Sequence, residues 1–431
     1  MTNRFYAGIL LCVCTLCFRH AVLAQSEGGE LTLPRAISIA LDHHPSLRVA
    51  QAGIRSAGGG LTQAKSNYLP SLSAVGTAQR NGGAFVLNPS VSARSQTYST
   101  YTGGFQATQT LFDFGKTVSR VSANSGFYDA ASYDYDASRA DVVLGVQIAY
   151  FGVIQAQQVV RVDERAVDQS AKHLTQAQAF YKVGTRPLLD VMKAQVDLAN
   201  ANVNVIQARN KLRVAHLQLE NAMGVYPKDP YVIHDTLAIT PFSLTLDSVK
   251  AVTFAQRPEI LAATTRVEAN RSLVSAAWDQ HLPTLSAFGS WMWSNFDFPL
   301  FNRWNAGVTL TFPLFQGFNI VGQVEQAQAA ADAADADLEL LKESVVLEVE
   351  QAYLGLREAE ERLGATAKLV EEAEQSLVLA ERQYVAGVGT VLDVTDAELS
   401  LSNAHITQIQ GLFDYNSSLA TLQKAMGMPG K

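Results

Sequence analysis

The side chains best suited to chemistry lie in two matched stretches. Tyr384 to Glu398 reads YVAGVGTVLDVTDAE, and Tyr181 to Gln195 reads YKVGTRPLLDVMKAQ. Aligned without a gap, Tyr181 pairs with Tyr384, Gly184 with Gly387, and Leu189-Asp190-Val191 with Leu392-Asp393-Val394. Two differences are chemical: Asp396 stands opposite Lys193, and Gly389 opposite Arg186. The second stretch thus carries two carboxylates, Asp393 and Asp396, with Tyr384 upstream, whereas the first carries a guanidinium. Such a set offers charge and hydrogen bonds rather than bond making. Outside the N-terminal segment the histidines are His43, His44, His173, His216, His234, His281 and His405, and none has metal-ligand spacing with Asp, Glu or Cys. No phosphate loop, nucleophile elbow or dinucleotide fingerprint stands in a supporting context. Gly58-Gly59-Gly60 has no strand before it and no Lys-Ser/Thr after it, so it is expected to interrupt a helix for close packing. No catalytic, cofactor-binding or metal-binding residue is expected, and the chain does not read as an enzyme.

The elements that hold these stretches are helices. Each stretch sits between two long apolar-periodic segments, and its glycine supplies the positive φ of a tight turn. Pro187 suits a first helical position, and Thr390 with Asp393 resembles a capping box. Each stretch is therefore the tip of a helical hairpin. Asp393 can serve the cap or the helix dipole alone, as can Asp190. Apolar periodicity runs from about Thr117 to Val183 and from about Val321 to Ala386. In the second run Leu338, Leu341, Val345, Val349, Ala352, Leu356, Ala359 and Leu363 step by three or four, nearly a coiled-coil seam. Roughly 65 residues at 1.5 Å each make a rod on the order of 100 Å. Shorter helices over Pro34–Asp42, Ser46–Asn67 and Pro187–Gly224 complete the first unit, the latter two stacking beside the long one.

The N-terminus has Arg4, a mostly apolar run from Tyr6 to Phe18 and small residues at Val22-Leu23-Ala24, the signature of a secretory signal over 1–24. Cys12, Cys14 and Cys17 all lie inside it, so the mature chain lacks cysteine. Leu11, Val13 and Leu16 precede them, which argues against a lipid anchor. Removing the segment takes away two arginines and no acid, so the net charge moves from −7 to −9. There is no basic footprint for nucleic acid. No later run of 18 apolar residues is present, so a membrane, if involved, is not crossed by helices.

The remaining chain is one unit written twice. Leu31 to Gly76 aligns with Leu244 to Gly289, and LPSLSAVG at Leu69 recurs as LPTLSAFG at Leu282. From Leu111-Phe112, paired with Leu314-Phe315, the match continues to Ala222-Met223-Gly224 and Ala425-Met426-Gly427. This gives a first repeat over 25–225, a proline-bearing linker over 226–243 and a second repeat over 244–431, with no further tail domain expected. The first copy holds ten more residues, between about Gln79 and Tyr101, expected in a surface loop. Strands are expected at about 69–80, 99–112, 283–294 and 303–315. Trp304, Ala306, Val308, Leu310 and Phe312 alternate with Asn305, Gly307, Thr309 and Thr311, at a length that suits tilted strands crossing an outer membrane. Trp291, Trp293, Trp304 and Tyr98 near the segment ends resemble an interfacial girdle. Four strands cannot close a barrel, and lipid does not tolerate open edges, so several subunits must each lend four. Eight, twelve or sixteen strands remain open.

In order and duplicated, these marks resemble the TolC-like family of outer-membrane efflux proteins. They are Tyr68-Leu69-Pro70-Ser71, Leu111-Phe112-Asp113-Phe114-Gly115 and the two Tyr-x-x-Gly…Leu-Asp-Val tips. The resemblance covers essentially the whole mature chain. It implies an α+β, mostly α fold: a long antiparallel helical coiled-coil barrel plus a transmembrane β-barrel built by a homotrimer. It implies an exit duct for efflux or type I secretion in the outer membrane, extending into the periplasm. Outer-membrane lipid, a periplasmic adaptor and an inner-membrane pump would be its partners. The same resemblance assigns Asp393 and Asp396 to an acidic ring in the pore gate and Tyr384 to a latch. The family's arginine partner falls at Gly389, and Arg186 is the substitute candidate. Val183-Gly184-Thr185 and, less well, Ala386-Gly387-Val388 match the adaptor-docking tips. A periplasmic coiled-coil scaffold or adhesin without a pore is the competing reading. Mass spectrometry of the exported protein should find a mature start at Gln25 and no acylated cysteine.

Overall fold

A computed structural model describes residues 29–85, 94–226, 231–234 and 236–428. The expected signal segment lies outside the described residues, as does part of the linker. In chain order the elements are α1 (Leu33–His43), α2 (Pro45–Ser66), β1 (Ser71–Phe85), β2 (Arg94–Phe112), α3 (Lys116–Lys182), α4 (Leu188–Met223), α5 (Leu246–Gln256), α6 (Pro258–Trp278), β3 (Thr284–Asn295), β4 (Phe301–Thr311), α7 (Asn319–Val385) and α8 (Val391–Ala425). A 3-10 turn over Asp279–His281 follows α6.

The two long rods, α3 and α7, are each 67 residues, on the order of 100 Å at 1.5 Å per residue. The shorter helices stack in pairs beside them. Near the strands α3 packs against α2 and α6, and α6 packs against α7; farther away α3 packs against α4 and α8, and α8 against α7. Each half-height layer is therefore four helices wide, with α2 and α4 on one edge and α7 on the other.

Glycine makes the end-to-end joints. Gly224 ends α4 at φ +69, and a Cβ there would stand 2.9 Å from the Cα of His44 beside the start of α2. Gly427 follows α8 at φ +74, and a Cβ would stand 2.8 Å from the Cα of Arg257 at the start of α6. Left-handed backbone and absent Cβ are both needed there. Gly58-Gly59-Gly60, by contrast, does not interrupt α2, which is continuous from Pro45 to Ser66. Its glycines admit α3 closely: a Cβ at Gly58 would meet the Tyr128 ring at 3.5 Å, and one at Gly60 would meet Asn124 Oδ1 at 3.1 Å.

Burial concentrates around these joints. Val142, Val146, Tyr150 and Ile154 of α3 pack with Leu219 and Met223 of α4 and with Ala36 and Ala40 of α1. An equivalent core joins Val249, Ile260, Val345, Val349, Leu356 and Leu422. An 18-residue window of α3 reaches a mean hydropathy of 1.3, long and apolar enough by composition to cross a membrane. The apolar side chains of α3 from Val142 to Ile154 instead serve this core.

The strands form one antiparallel sheet in the order β1-β2-β3-β4. Directly opposed residues share a face. The register places Leu72, Ala74, Phe105, Trp291, Trp304 and Leu310 on one face. Ser73, Gln106, Thr108, Ser290, Asn305 and Thr309 lie on the other, where Val75, Phe288, Met292 and Phe301 are apolar exceptions. The ten extra residues of the first copy do not all form a loop. The β1–β2 ladder continues through Arg80↔Ser99 to Phe85↔Arg94, because the Thr-, Ser- and Tyr-rich segment 97–102 suits extended backbone.

A charge cluster fastens the second joint. Arg257 is buried; its Nη1 donates to Ala425 O at 3.3 Å and its Nη2 to Glu348 at 2.5 Å, while Glu259 accepts from Nε at 3.2 Å. Lys424 stands 3.2 Å from Asp141 and 3.5 Å from Glu348. The first copy has His44 at the matching position, a simple cap whose Nδ1 accepts from Ser46 N–H. Arg257→Ala takes the nearer cation from Glu348 and Glu259 and leaves them only Lys424, at 3.5 Å and 3.8 Å. Because Glu348 keeps contact with water, the loss should be about 2 kcal/mol, below the range for a fully buried pair. Thermal unfolding followed by circular dichroism should detect it, and Arg257→Met with Glu348→Gln should recover most of it.

Candidate functional site at the hairpin tips

At the end of each rod the chain reverses within a few residues. Gly184, at φ +76, donates its N–H to Tyr181 O at 3.0 Å, and the Thr185 N–H and hydroxyl both donate to Phe180 O. Pro187 is the N-cap and α4 begins at Leu188, one residue later than the sequence pattern indicates, because ψ of 157° keeps the proline extended. In the second tip Gly387, at φ +79, donates to Tyr384 O at 3.1 Å. Thr390 and Asp393 then form a full capping box: Thr390 N–H and Oγ1 each lie 2.7 Å from Asp393 Oδ2, and Asp393 N–H donates back to Thr390 Oγ1 at 3.3 Å.

The two tips meet through Arg186. Its Nη2 donates to Tyr384 O and to Gly389 O, both at 3.1 Å. Its guanidinium lies 4.7 Å from the centroid of the Tyr384 ring, and Phe180 packs edge-on to that ring at 5.9 Å. The cation thus gives Tyr384 O a second donor beside the Gly387 N–H, supplies one to Gly389 O in the turn, and sits at the negative end of the α7 dipole. Gly389 takes part through its carbonyl, so a position without a side chain still joins the link.

The matched tyrosines differ in surroundings. Tyr181 is exposed; Tyr384 is buried, and its hydroxyl has no hydrogen-bond partner. Burial raises the Tyr384 pKa, the charge of Asp190 adds to that rise, and Arg186 opposes it. Asp190 is buried in the first turn of α4. Asp393 and Asp396 are exposed, three residues apart on α8. Hydrogen bonds from Thr390 hold the Asp393 carboxyl below its ordinary pKa. Val183, Gly184, Thr185, Ala386, Gly387 and Val388 form the exposed ends of the two hairpins.

Higher on the rods is a polar junction absent from the sequence reading. His173 Nε2 of α3 lies 2.7 Å from Glu398 Oε1 of α8 and 3.8 Å from Glu381 Oε1 of α7. Gln169 donates to Glu381 at 2.7 Å, and the Thr395 hydroxyl to Asp197 of α4 at 3.0 Å. Gln169, Glu381, Glu398, Asp197 and Thr395 border a cavity of about 520 Å³ between the hairpins. No one-dimensional signal joins residues so distant in the chain. Among the described residues no cluster of three or more His, Asp or Glu could hold a metal ion.

The comparisons with known proteins agree with this architecture. A family model described as outer membrane efflux protein matches residues 36–225 and 252–428. Outer membrane protein TolC of Vibrio cholerae serotype O1 is 28% identical over 338 residues, covering 75% of this chain and 76% of that protein. Outer membrane protein OprJ of Pseudomonas aeruginosa is 28% identical over 420 residues, covering 92% and 84%. The crystal structure of VceC from Vibrio cholerae has the same fold, with a TM-score of 0.79 at 23% identity over 93% of this chain and 97% of that one. Matched by the family model through both repeats, the chain belongs to the outer membrane efflux protein family and is an outer-membrane channel, not a pore-less scaffold or adhesin.

Proposed function

We propose that three copies of this chain close a twelve-stranded barrel over a helical tunnel, forming the passive exit duct of a tripartite efflux or type I secretion system. The observation that carries the reading is the pair of open edges on β1 and β4, on a sheet with one apolar and one polar face. In lipid those edges must pair, and pairing β4 of one copy with β1 of the next satisfies both. The helices support the same closure. The edge helix α4 leaves Leu189, Val196 and Ile206 exposed, and the opposite edge helix α7 leaves Leu340, Leu347 and Leu354 exposed at seven-residue spacing. Such stripes suit a coiled-coil seam between neighbours.

The tips form the periplasmic gate. Arg186 and Tyr384 act as a latch within one subunit, holding the first hairpin to the second. Three copies of Asp393 and Asp396 supply a negative field at the constriction, which favours cations. Asp393 does this while capping α8, since its depressed pKa keeps it ionised. Val183-Gly184-Thr185 and Ala386-Gly387-Val388 are the surface for a periplasmic adaptor, which couples the duct to an inner-membrane pump. In this reading energy enters through the pump and the duct stays passive.

Single-channel recording tests both parts of the gate. Asp393→Ala with Asp396→Ala should weaken block by added divalent cations, and unchanged block overturns the acidic-ring assignment. Arg186→Ala removes two charge-assisted hydrogen bonds and a ring contact. A loss of about 2 kcal/mol should shift the closed-to-open ratio by roughly thirtyfold toward open. Arg186→Lys should restore little, because an ammonium cannot keep both carbonyl contacts and the stacked geometry.

A further inference from the structure

We propose that His173 is a proton-operated clasp between the two hairpins of each subunit, a second gating element above the tip latch. The proposal rests on the gate reading given above and adds a residue and a stimulus to it.

The geometry carries the inference. His173 sits nine residues before the end of α3, roughly 14 Å from it at 1.5 Å per residue. Every element packed there turns an acid toward it. Glu398 of α8 lies at 2.7 Å and Glu381 of α7 at 3.8 Å, and Asp197 of α4 adds its field. Gln169 Nε2, on the same helix, lies 3.3 Å from the ring and is engaged with Glu381. The other charged groups on the cavity wall are Arg165 of α3 and His405 of α8, the latter 4.0 Å from Glu374. His173 and Glu398 are both mostly buried, with side chains 14% and 17% exposed, so water screens their attraction only in part. An imidazolium joins α3 to both helices of the second hairpin. A neutral ring leaves Glu398, Glu381 and Asp197 facing one another without that cation, and their repulsion favours separation of the hairpins.

The direction of response follows from linkage. The contact with Glu398 raises the His173 pKa above its ordinary value of 6.5, with Glu381 and Asp197 adding to the effect against burial. A raised pKa in the clasped state means that the clasp is fully formed below 6.5 and is lost as pH rises through the raised value. Acidification holds the hairpins together and alkalinisation releases them. The closed-to-open ratio changes by about tenfold for each pH unit by which clasping raises the pKa.

The test uses the full-length protein in lipid, with spin labels at Lys172 and Asn403, both exposed; the sequence after residue 24 offers no competing cysteine. Pulsed electron spin resonance should give a short, narrow distance at about pH 6 and a longer, broader one at about pH 8.5. His173→Gln should show the released distribution at both pH values. Glu398→Gln, which keeps the shape of the side chain, should move the transition toward lower pH. A wild-type distance that does not change with pH, or a His173→Gln protein that keeps the wild-type response, overturns the clasp. Bilayer conductance of the same proteins separates this proposal from the gate reading. Distances that respond while conductance does not leave the clasp standing and remove its gating role.

Discussion

Lipid offers no partner to a backbone N–H or C=O, and the four strands of this chain leave two such edges open. Much of the architecture follows from that deficit. The sheet is antiparallel throughout, with β2 pairing to β3 across the repeat boundary, so one subunit presents a single continuous staircase rather than two separate hairpins. Its apolar face carries Trp291, Trp304 and Phe105, and its opposite face is mostly Ser, Thr, Asn and Gln. A lone subunit cannot satisfy this geometry, so assembly is a condition of insertion rather than a later refinement.

The helical part answers a different constraint. Two rods of 67 residues would be marginal alone, since most helical stability comes from packing. They are held near mid-length, where the shorter helices abut and where α1, α5 and segments of the linker close the two cores. Tyr150 O–H donates to Leu31 O at 3.0 Å, and Tyr415 O–H to Thr240 O at 2.6 Å, tying the peripheral segments to the rods. The buried Arg257 adds charge to the second joint alone. Duplication supplied the frame, and single substitutions then made the two joints unequal.

The same divergence shaped the tips. Tyr181 and Tyr384 came from one ancestral position in the repeat, yet one is exposed and the other is buried beneath Arg186. The bare Gly389 and the guanidinium at the matching Arg186 are complementary, because the guanidinium donates to the glycine carbonyl. Asp393 caps α8 and capping lowers its pKa, which is compatible with the cation-attracting ring proposed for the gate, since that ring requires a charged carboxylate.

The family, the mostly α fold and the outer-membrane channel were all readable in the residues before any coordinates, because each rests on local pattern. Periodicity of three to four marks the rods, alternation of two marks the strands, and Thr390 with Asp393 marks a helix start within four residues. Gly184 and Gly387 identified turns through a backbone requirement that belongs to the residue itself. What only the tertiary structure decided is which distant side chains meet. Arg186 reaches Tyr384 and Gly389 across 198 and 203 residues, and His173 belongs to α3 while its acids belong to α7 and α8. The sequence alone made His173 an isolated histidine without a ligand spacing, and made Gly389 a missing partner. The close packing expected of Gly58-Gly59-Gly60 is present without the expected helix interruption: α2 runs through it unbroken, and Tyr128 and Asn124 of α3 approach Gly58 and Gly60 where side chains would stand. Local pattern fixes elements because neighbouring residues share one backbone; contacts between rods depend on rotation and register, which only packing sets.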